Sequence, residues 1–414
     1  MNILHRIAST VALPVALTAA LVSSVDATAQ KFEGLAMTPP MGWNSWNTFA
    51  CDIDETLVKE TADLFVKLGL KDAGYQYIVM DDGWMEMERD PKTLRLVPDH
   101  KKFPNGIKPL ADYIHSKGLK FGMYNCAGTK TCAGYPGTRG YEFIDARQYA
   151  EWEVDFLKYD WCYTTTQDGP SSYAIMRDAL YAAGRPMIFN ICEWGDKESW
   201  KWGAEIGHSW RISGDIARCW DCEENYGGWA KLGVWPIVRL RGDIRKYTGP
   251  DHWNDFDMLE VGNGMTVQED RTHFVMWCML ASPLFLGNDI RKMSKETLEL
   301  ITNKEVIAVN QDKLGIQGFR FLNNDGFEVW VKALDNGEWA FAFVNMTEQP
   351  RKLTYDWKRH YVKDSLFDRE VNFGNQTFAL RDLLAKKDAG TTDKALDREV
   401  AAHDIVVFRL TPKK

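Results

Sequence analysis

The chain has 414 residues, 45% of them hydrophobic, and carries 50 lysines and arginines against 58 aspartates and glutamates, for a net charge of −8. That length exceeds one ordinary compact domain and leaves room for a large barrel with a smaller companion. The acidic balance argues against nucleic acid and anionic ligands as partners and suits a neutral substrate.

The first element is an export signal. His5 and Arg6 precede an apolar run over 9–23, and Ala27-Thr28-Ala29 matches a small-x-small cleavage pattern. Residues 1–29 are expected to be removed, with the mature chain periplasmic or extracellular. The run is too short to span a membrane, so no membrane association is expected. Export makes the eight cysteines candidates for disulfides. Cys219 and Cys222 are the only close pair, and spacing assigns no partner to the other six. The eight histidines are scattered and no HExxH occurs, so neither a metal site nor a cofactor is expected.

From residue 40 to about 290 one pattern recurs: a short apolar run ends in polar residues, and an amphipathic helical stretch follows. The runs begin with MGWNSW (41–46), YIVMDDGW (77–84), KFGMYNCAG (120–128) and VDFLKYDWC (154–162). They continue with PMIFNICEW (186–194), HSWRISGDI (208–216), HWNDFDMLEVG (252–262) and SPLFLGND (282–289). Residues 55–74 are a typical intervening helix, with a closing glycine. Eight strand–helix units in series predict a (β/α)8 TIM barrel over 30–316. No GxGxxG follows the first strand, which disfavours an open dinucleotide-binding sheet. After about residue 315 the pattern changes to period two, with turn signals at 323–326 and 335–337. This predicts a C-terminal antiparallel β-sandwich over 317–414 that supports the barrel, with 386–394 as a polar loop.

Catalytic groups of such barrels sit at the C-terminal ends of the strands. Here those ends carry Trp46, Asp81, Asp82, Lys158, Asp160, Glu193, Asp215 and Asp257. Repeated carboxylates at one aromatic-rich face suit glycosidic bond cleavage, which needs one carboxyl as nucleophile or base and another as acid. Alternation turns Lys158 and Asp160 the same way, and the lysine is expected to keep that aspartate ionised. A buried structural ion pair fits the spacing equally well. Spacing alone gives Asp215 no more than a strand-end position, where a capping role is the default.

The motifs MGWNSWNTF, YIVMDDGW, KTCAGYPG, FLKYDWC, CEWG, SWRISGDI, HWNDFDML and ASPLFLGNDIR, in this order, resemble family 27 of the glycoside hydrolases from about Leu35 onward. The resemblance implies a metal-free retaining enzyme, a barrel followed by an antiparallel β domain, and an α-galactoside substrate. It implies that Asp160 is the nucleophile and Asp215 the acid/base, with Arg211 in the site. It further implies sugar contacts by Trp46, Asp81, Asp82, Tyr124, Lys158 and Asp257, and a disulfide between Cys132 and Cys162 beside the sugar. In the CEW motif, Glu193 resembles the α-galactosidases; with Trp200 it is expected to fill the space an N-acetyl group would need. Gly83 stands where many members have a cysteine, which leaves Cys51 without its usual partner. Asn125-Cys126 and Phe256 also depart from the family pattern. The competing readings are a β-L-arabinopyranosidase or α-N-acetylgalactosaminidase on the same scaffold, and a galactose-binding protein without catalysis. Oligomeric state and aglycone are not legible.

Overall fold

A computed structural model describes residues 31–240 and 242–413; the expected export signal lies outside the described residues. The barrel strands begin with β1 (Met41–Asn44), β2 (Tyr77–Val79), β3 (Lys120–Cys126), β4 (Phe156–Asp160), β5 (Ile188–Cys192) and β6 (Ser209–Arg211). An inserted hairpin of β7 (Glu223–Asn225) and β8 (Ala230–Leu232) follows, and then β9 (Trp253–Asp255) and β10 (Leu284–Leu286). All eight expected runs supply a strand.

Apart from the hairpin, these strands form one parallel sheet in the order β10-β1-β2-β3-β4-β5-β6-β9. Leu259, just past β9, closes the ring. Its amide donates to the Phe285 carbonyl at 2.7 Å, and its carbonyl accepts from the Gly287 amide at 2.9 Å. Tyr77, Val79, Phe156, Ile188, Met258 and Phe285 fill the interior, so the barrel is a packed core that opens only at its mouth.

Around the strands lie α1 (Trp46–Phe49), α2 (Glu55–Lys67), α3 (Leu70–Ala73), α4 (Ile107–Ser116) and α5 (Glu142–Glu151). They are followed by α6 (Gly169–Ala183), α7 (Val234–Leu240), α8 (Val267–Met279), α9 (Lys295–Ile301) and α10 (Lys304–Asn310). The Asp54 carboxylate caps α2 by accepting from the Leu57 amide at 2.8 Å, and Leu57, Val58, Ala62 and Phe65 form its buried face. The single helix expected over 55–74 is instead two. Gly69 adopts φ +76°, a left-handed conformation that stops α2 and lets the chain restart as α3. No helix among the described residues is long and apolar enough to cross a membrane.

The C-terminal region comprises β11 (Phe319–Asn324), β12 (Phe327–Ala333), β13 (Trp339–Asn345), β14 (Arg351–Tyr355) and β15 (Tyr361–Asp364). It continues with β16 (Arg369–Asn372), β17 (Phe378–Asp382), β18 (Lys387–Thr391), β19 (Leu396–Val400) and β20 (Ile405–Pro412). The main antiparallel sheet runs β11-β12-β13-β20-β17-β18, and the pairs β14–β19 and β15–β16 accompany it. Its faces divide by alternation. Val329, Val331, Phe341, Phe343 and Phe408 join Tyr355 and Trp357 in the sandwich core, whereas Trp330, Ala340, Ala342 and Val407 join the barrel core.

The sheet is therefore covered on both sides, and β12 and β13 are buried along their whole length. Period-two polarity in β12 does not mark a solvent face. Lys332 is buried and donates to the carbonyls of Val309 (2.6 Å) and Cys278 (3.2 Å), at the ends of α10 and α8. The segment 386–394, expected to be a polar loop, contains β18, which pairs with β17. It is polar because it lies at an edge of the sheet, where exposed charge discourages pairing with other chains.

Candidate active site

The parallel register sets Tyr124, Lys158, Asn190 and Ser209 at one level of the barrel wall, and Cys126, Asp160 and Cys192 at the next. Alternation directs these side chains inward. Asp81 follows β2, where the chain has left the strand, and this frees the two adjacent carboxylates to diverge. Asp81 Oδ2 accepts from Lys158 Nζ at 2.9 Å and from Asn44 Nδ2 at 2.8 Å. The Asp82 carboxylate accepts from the amides of Gly83 (2.8 Å) and Ala133 (2.9 Å), so it tethers the loop after β3. Burial pushes the Asp82 carboxyl up to about 6 despite those amides.

Asp160 is buried and accepts from the Trp161 amide at 2.9 Å. The direct partner of Lys158 is Asp81 rather than Asp160, which corrects the expectation from spacing. Burial pushes Asp160 up to about 7. The charge of Lys158 pulls against it, and the nearby carboxylates of Asp215 and Asp81 add to the rise. The lysine thus moderates the pKa without bringing it below that of an ordinary carboxylate. Lys158 itself is held charged, burial being outweighed by Asp81 and the other carboxylates. Its ammonium lies 5.2 Å from the centre of the Tyr124 ring.

Cys132 and Cys162 are joined as a disulfide, linking the loops after β3 and β4 beside Asp160. The three side chains form a cluster of metal-ligand type, but the thiols are spent on the bond. A Cβ on Gly128 would overlap the Cys162 carbonyl oxygen, so only glycine permits this approach of the two loops.

On the opposite wall, Arg211 is buried and lies 2.6 Å from Asp257 and 3.3 Å from Asp215. Asp257 adopts φ +81° and also accepts from the amides of Ile216 (2.8 Å) and Met258 (2.7 Å). It thereby fixes the backbone beside Asp215. Burial raises Asp257 to about 6 against the pull of Arg211. Asp215 is the more open carboxyl, with its side chain 30% exposed against 5% for the Asp160 residue as a whole. Trp46 begins α1 and packs at the edge of the interior cluster that includes Met258.

Glu193 and Trp200 lie in the segment that follows β5. Glu193 is wholly buried, and its two carboxylate oxygens accept from the amides of Lys197 and of Ser199, the latter at 3.1 Å. It organises the loop after β5, each of its oxygens accepting one hydrogen bond from that loop. Trp200 is buried in the same loop, where a Cβ on Gly195 would come within 3.2 Å of its ring.

Gly83 has φ +88°, and a Cβ there would lie 2.9 Å from Cys51 Sγ. The two positions are in contact although no disulfide joins them. Lys102 Nζ donates to both their carbonyls instead, at 2.8 Å to Cys51 and 2.7 Å to Gly83. Cys219 and Cys222 are bonded, and Cys126, Cys192 and Cys278 are buried free thiols. Asn125 turns to the Tyr149 hydroxyl at 3.0 Å, and Phe256 packs edge-on against Trp277.

Residues not singled out from the sequence complete the site. Asn44, Asn190 and Asp255 line a small cavity beneath the mouth together with Lys158, Arg211 and Asp257. Asn190 Nδ2 donates to Asp255 Oδ2 at 3.0 Å. Cys192 sits level with Asp160 and lies 3.9 Å from an Arg211 nitrogen. The signal that identifies Asp255 is its place two residues before Asp257. For Asn190 and Cys192 it is the inward parity of β5.

Comparison with known proteins agrees with this architecture. A family model described as alpha galactosidase A matches residues 38–312, and one described as the alpha galactosidase C-terminal beta sandwich domain matches 324–410. The chain is 50% identical over 401 residues to alpha-galactosidase A of Cellvibrio japonicus, covering 97% of this chain and 98% of that protein. Alpha-galactosidase I of Mortierella vinacea superposes with a TM-score of 0.85 at 37% identity, over 91% of this chain and 98% of that one. The alpha-galactosidase of Saccharomyces cerevisiae solved with raffinose superposes with a TM-score of 0.83 at 32% identity, over 93% and 100%. With eight parallel strands closed into a barrel, a β-sandwich behind it and these relatives over nearly its whole length, the chain belongs to the α-galactosidase family, family 27 of the glycoside hydrolases.

Proposed function

We propose that this chain is an exo-acting retaining α-galactosidase that removes terminal α-D-galactosyl residues from oligo- or polysaccharides. The observation that carries the reading is the pairing of two differently supported carboxyls at one barrel mouth. Asp160 is buried beside Lys158, and the more open Asp215 is held against Arg211 and Asp257.

In this reading Asp160 attacks the anomeric carbon and displaces the aglycone, forming a β-galactosyl ester. Asp215 protonates the departing oxygen. It then takes a proton from the water that cleaves the ester, and the α configuration is restored. Asp81 and Asp82 bind galactose hydroxyls, with Tyr124, Trp46 and the Cys132–Cys162 disulfide forming the wall. Lys158 holds Asp81 in place, and the Asp81 and Asp160 carboxylates favour development of positive charge on the sugar ring. Asp257 and Arg211 set the position of Asp215. Residues 30–316 carry the catalysis and 317–414 support them, in an enzyme exported to the periplasm or beyond.

The test is hydrolysis of an aryl α-galactoside, with Asp160→Asn as control and the corresponding β-L-arabinopyranoside as competitor. Turnover of the galactoside that the substitution abolishes is expected. Equal rates in both forms, or a strong preference for the pentose, overturn the reading.

A further inference from the structure

The insertion between β6 and α7 starts at the candidate acid/base and projects outward. The Leu232 amide donates to the Asp215 carbonyl at 2.9 Å, and the Ala217 amide donates to the Leu232 carbonyl at 2.8 Å. β8 therefore runs directly off the backbone of Asp215. β7 and β8 pair from Glu223↔Leu232 to Asn225↔Ala230, and Gly227 and Gly228 make the turn. Tyr226 and Trp229 flank that turn with their rings stacked, centroids 4.6 Å apart and planes at 15°. Each is 53% exposed. Trp229 lies three residues from Leu232, about 10 Å along an extended strand, so the rings stand well outside the galactose pocket.

Between hairpin and barrel mouth runs a groove lined by Asn47, Arg218, Glu224, Lys231 and Glu260; Glu260 is buried and accepts from the Asn47 and Asn263 side-chain amides, which leaves Arg218, Glu224 and Lys231 at the groove surface. Asn47 follows Trp46, and Ile216 and Ala217, which also line the groove, follow Asp215, so the groove borders the mouth. Planar amide, guanidinium and carboxylate groups hydrogen-bond sugar hydroxyls, and flat aromatic faces take the C–H faces of the rings. The aromatic pair is not what holds the insertion in place. The Cys219–Cys222 disulfide closes its base, and the amides of Gly233 and Val234 donate to the carbonyls of Cys222 (2.8 Å) and Cys219 (3.0 Å). Two large rings held in water at the end of a stapled hairpin have free outer faces, one polar groove away from the cleavage point.

We propose that the Tyr226–Trp229 hairpin is a platform for the sugar rings of the aglycone, one groove beyond the scissile bond. A disaccharide ends within the groove, whereas a backbone of several rings reaches the platform. The proposal rests on the α-galactosidase reading above.

The experiment compares kcat/KM for a galactosylated manno-oligosaccharide with that for melibiose, in wild type, Trp229→Ala, Trp229→Phe and Tyr226→Ala/Trp229→Ala. The ratio is expected to fall roughly fivefold to tenfold in the alanine forms, through KM, and to stay near wild type in Trp229→Phe. An unchanged ratio in the double variant overturns the platform, and so does equal loss on both substrates. A second arm titrates galactose-free mannopentaose into Asp160→Asn, with and without Trp229→Ala. Binding that the tryptophan change weakens supports the platform, and binding absent from both forms, or equal in both, overturns it. Should wild type cleave neither galactoside, the α-galactosidase reading fails and the titration still decides the platform.

Discussion

Lys158 and Asp81 meet at 2.9 Å across the barrel mouth, so the lysine next to the buried Asp160 is committed to a different carboxylate. Its charge still lowers the Asp160 pKa through space, against burial that raises it to about 7. Asp160 must be ionised to attack, so kcat/KM falls as pH drops through the pKa of the free enzyme. Lys158→Met is expected to move that acidic limb upward by about one pH unit or more, as well as lowering kcat. A pH profile of kcat/KM for the two forms is the measurement, and an unmoved or lowered limb contradicts the arrangement.

The roles of the two carboxyls can be separated by azide. Asp215→Ala removes the proton donor but leaves the nucleophile, so an activated aryl α-galactoside still forms the galactosyl ester. Azide, which needs no base, is then expected to speed turnover and to give α-galactosyl azide. Asp160→Ala under the same conditions is expected to give the β-azide. Product stereochemistry by NMR checks both, and the reverse pattern would exchange the assignments.

The Cys132–Cys162 bond closes a separation of 30 residues. Chain-entropy arithmetic for such a loop gives about 3–4 kcal/mol, so Cys132→Ser is expected to lower Tm by several degrees. Because the neighbouring Ala133 amide binds Asp82, the loss is also expected to raise KM for galactosides. Calorimetry and kinetics on the variant test this, and a change in Tm without a change in KM would show that the loop positions no sugar-binding group.

Glu193 accepts from two amides of its own loop and is fully buried. Glu193→Ala is therefore expected to destabilise the protein by about 1–3 kcal/mol, since it leaves buried donors unpaired. It is not expected to confer turnover of an α-N-acetylgalactosaminide, because the side chain does not stand in the open pocket. Denaturant unfolding and a two-substrate assay give the answer, and a stable variant that cleaves the acetamido sugar would restore Glu193 as the residue guarding C2.

Stability is expected to rise modestly on mild acidification. Burial pushes Asp160 and Asp270 up to about 7 from an ordinary 3.8. A carboxyl whose folded pKa exceeds its unfolded one contributes stability that is complete below the unfolded value and lost as pH rises through the folded value. His208 and His273, pushed down by burial to about 4 and about 3, act in the opposite sense below their ordinary 6.5. Between pH 8 and 6.5 the aspartates dominate, and Tm is expected to gain about 1–2 °C; below that the two histidines offset Asp160 and Asp270, and the rise flattens. A calorimetric pH series tests the sign.

The strand count was legible because each barrel strand ends in the same apolar-to-polar step, and the Cys132–Cys162 bond was legible from the family motif, whereas spacing leaves the pairing of Cys219 with Cys222 open. Partnership across the mouth was not legible. Sequence places Lys158 two residues from Asp160, but the curvature of the barrel carries its ammonium to Asp81, 77 positions away. The partners of Glu193 were hidden for a similar reason: a CEW motif gives the residue's place at a strand end but not the fold of the loop whose amides its carboxylate accepts. Asn190 and Cys192 were passed over because an uncharged inward residue on a buried strand looks like core. In the sequence β18 reads as a loop because Lys387 and Asp388, exposed on an edge strand, give the segment a loop's composition.

The Lys102 clamp between Cys51 and Gly83 has a consequence for the redox behaviour of the rim. A corner that a covalent sulfur bridge would make conditional on an oxidising medium is held by ammonium–carbonyl bonds, which reductants do not touch. Reductants that open the Cys132–Cys162 and Cys219–Cys222 bonds leave the Cys51 side closed, so loss of activity under reduction does not report on that corner.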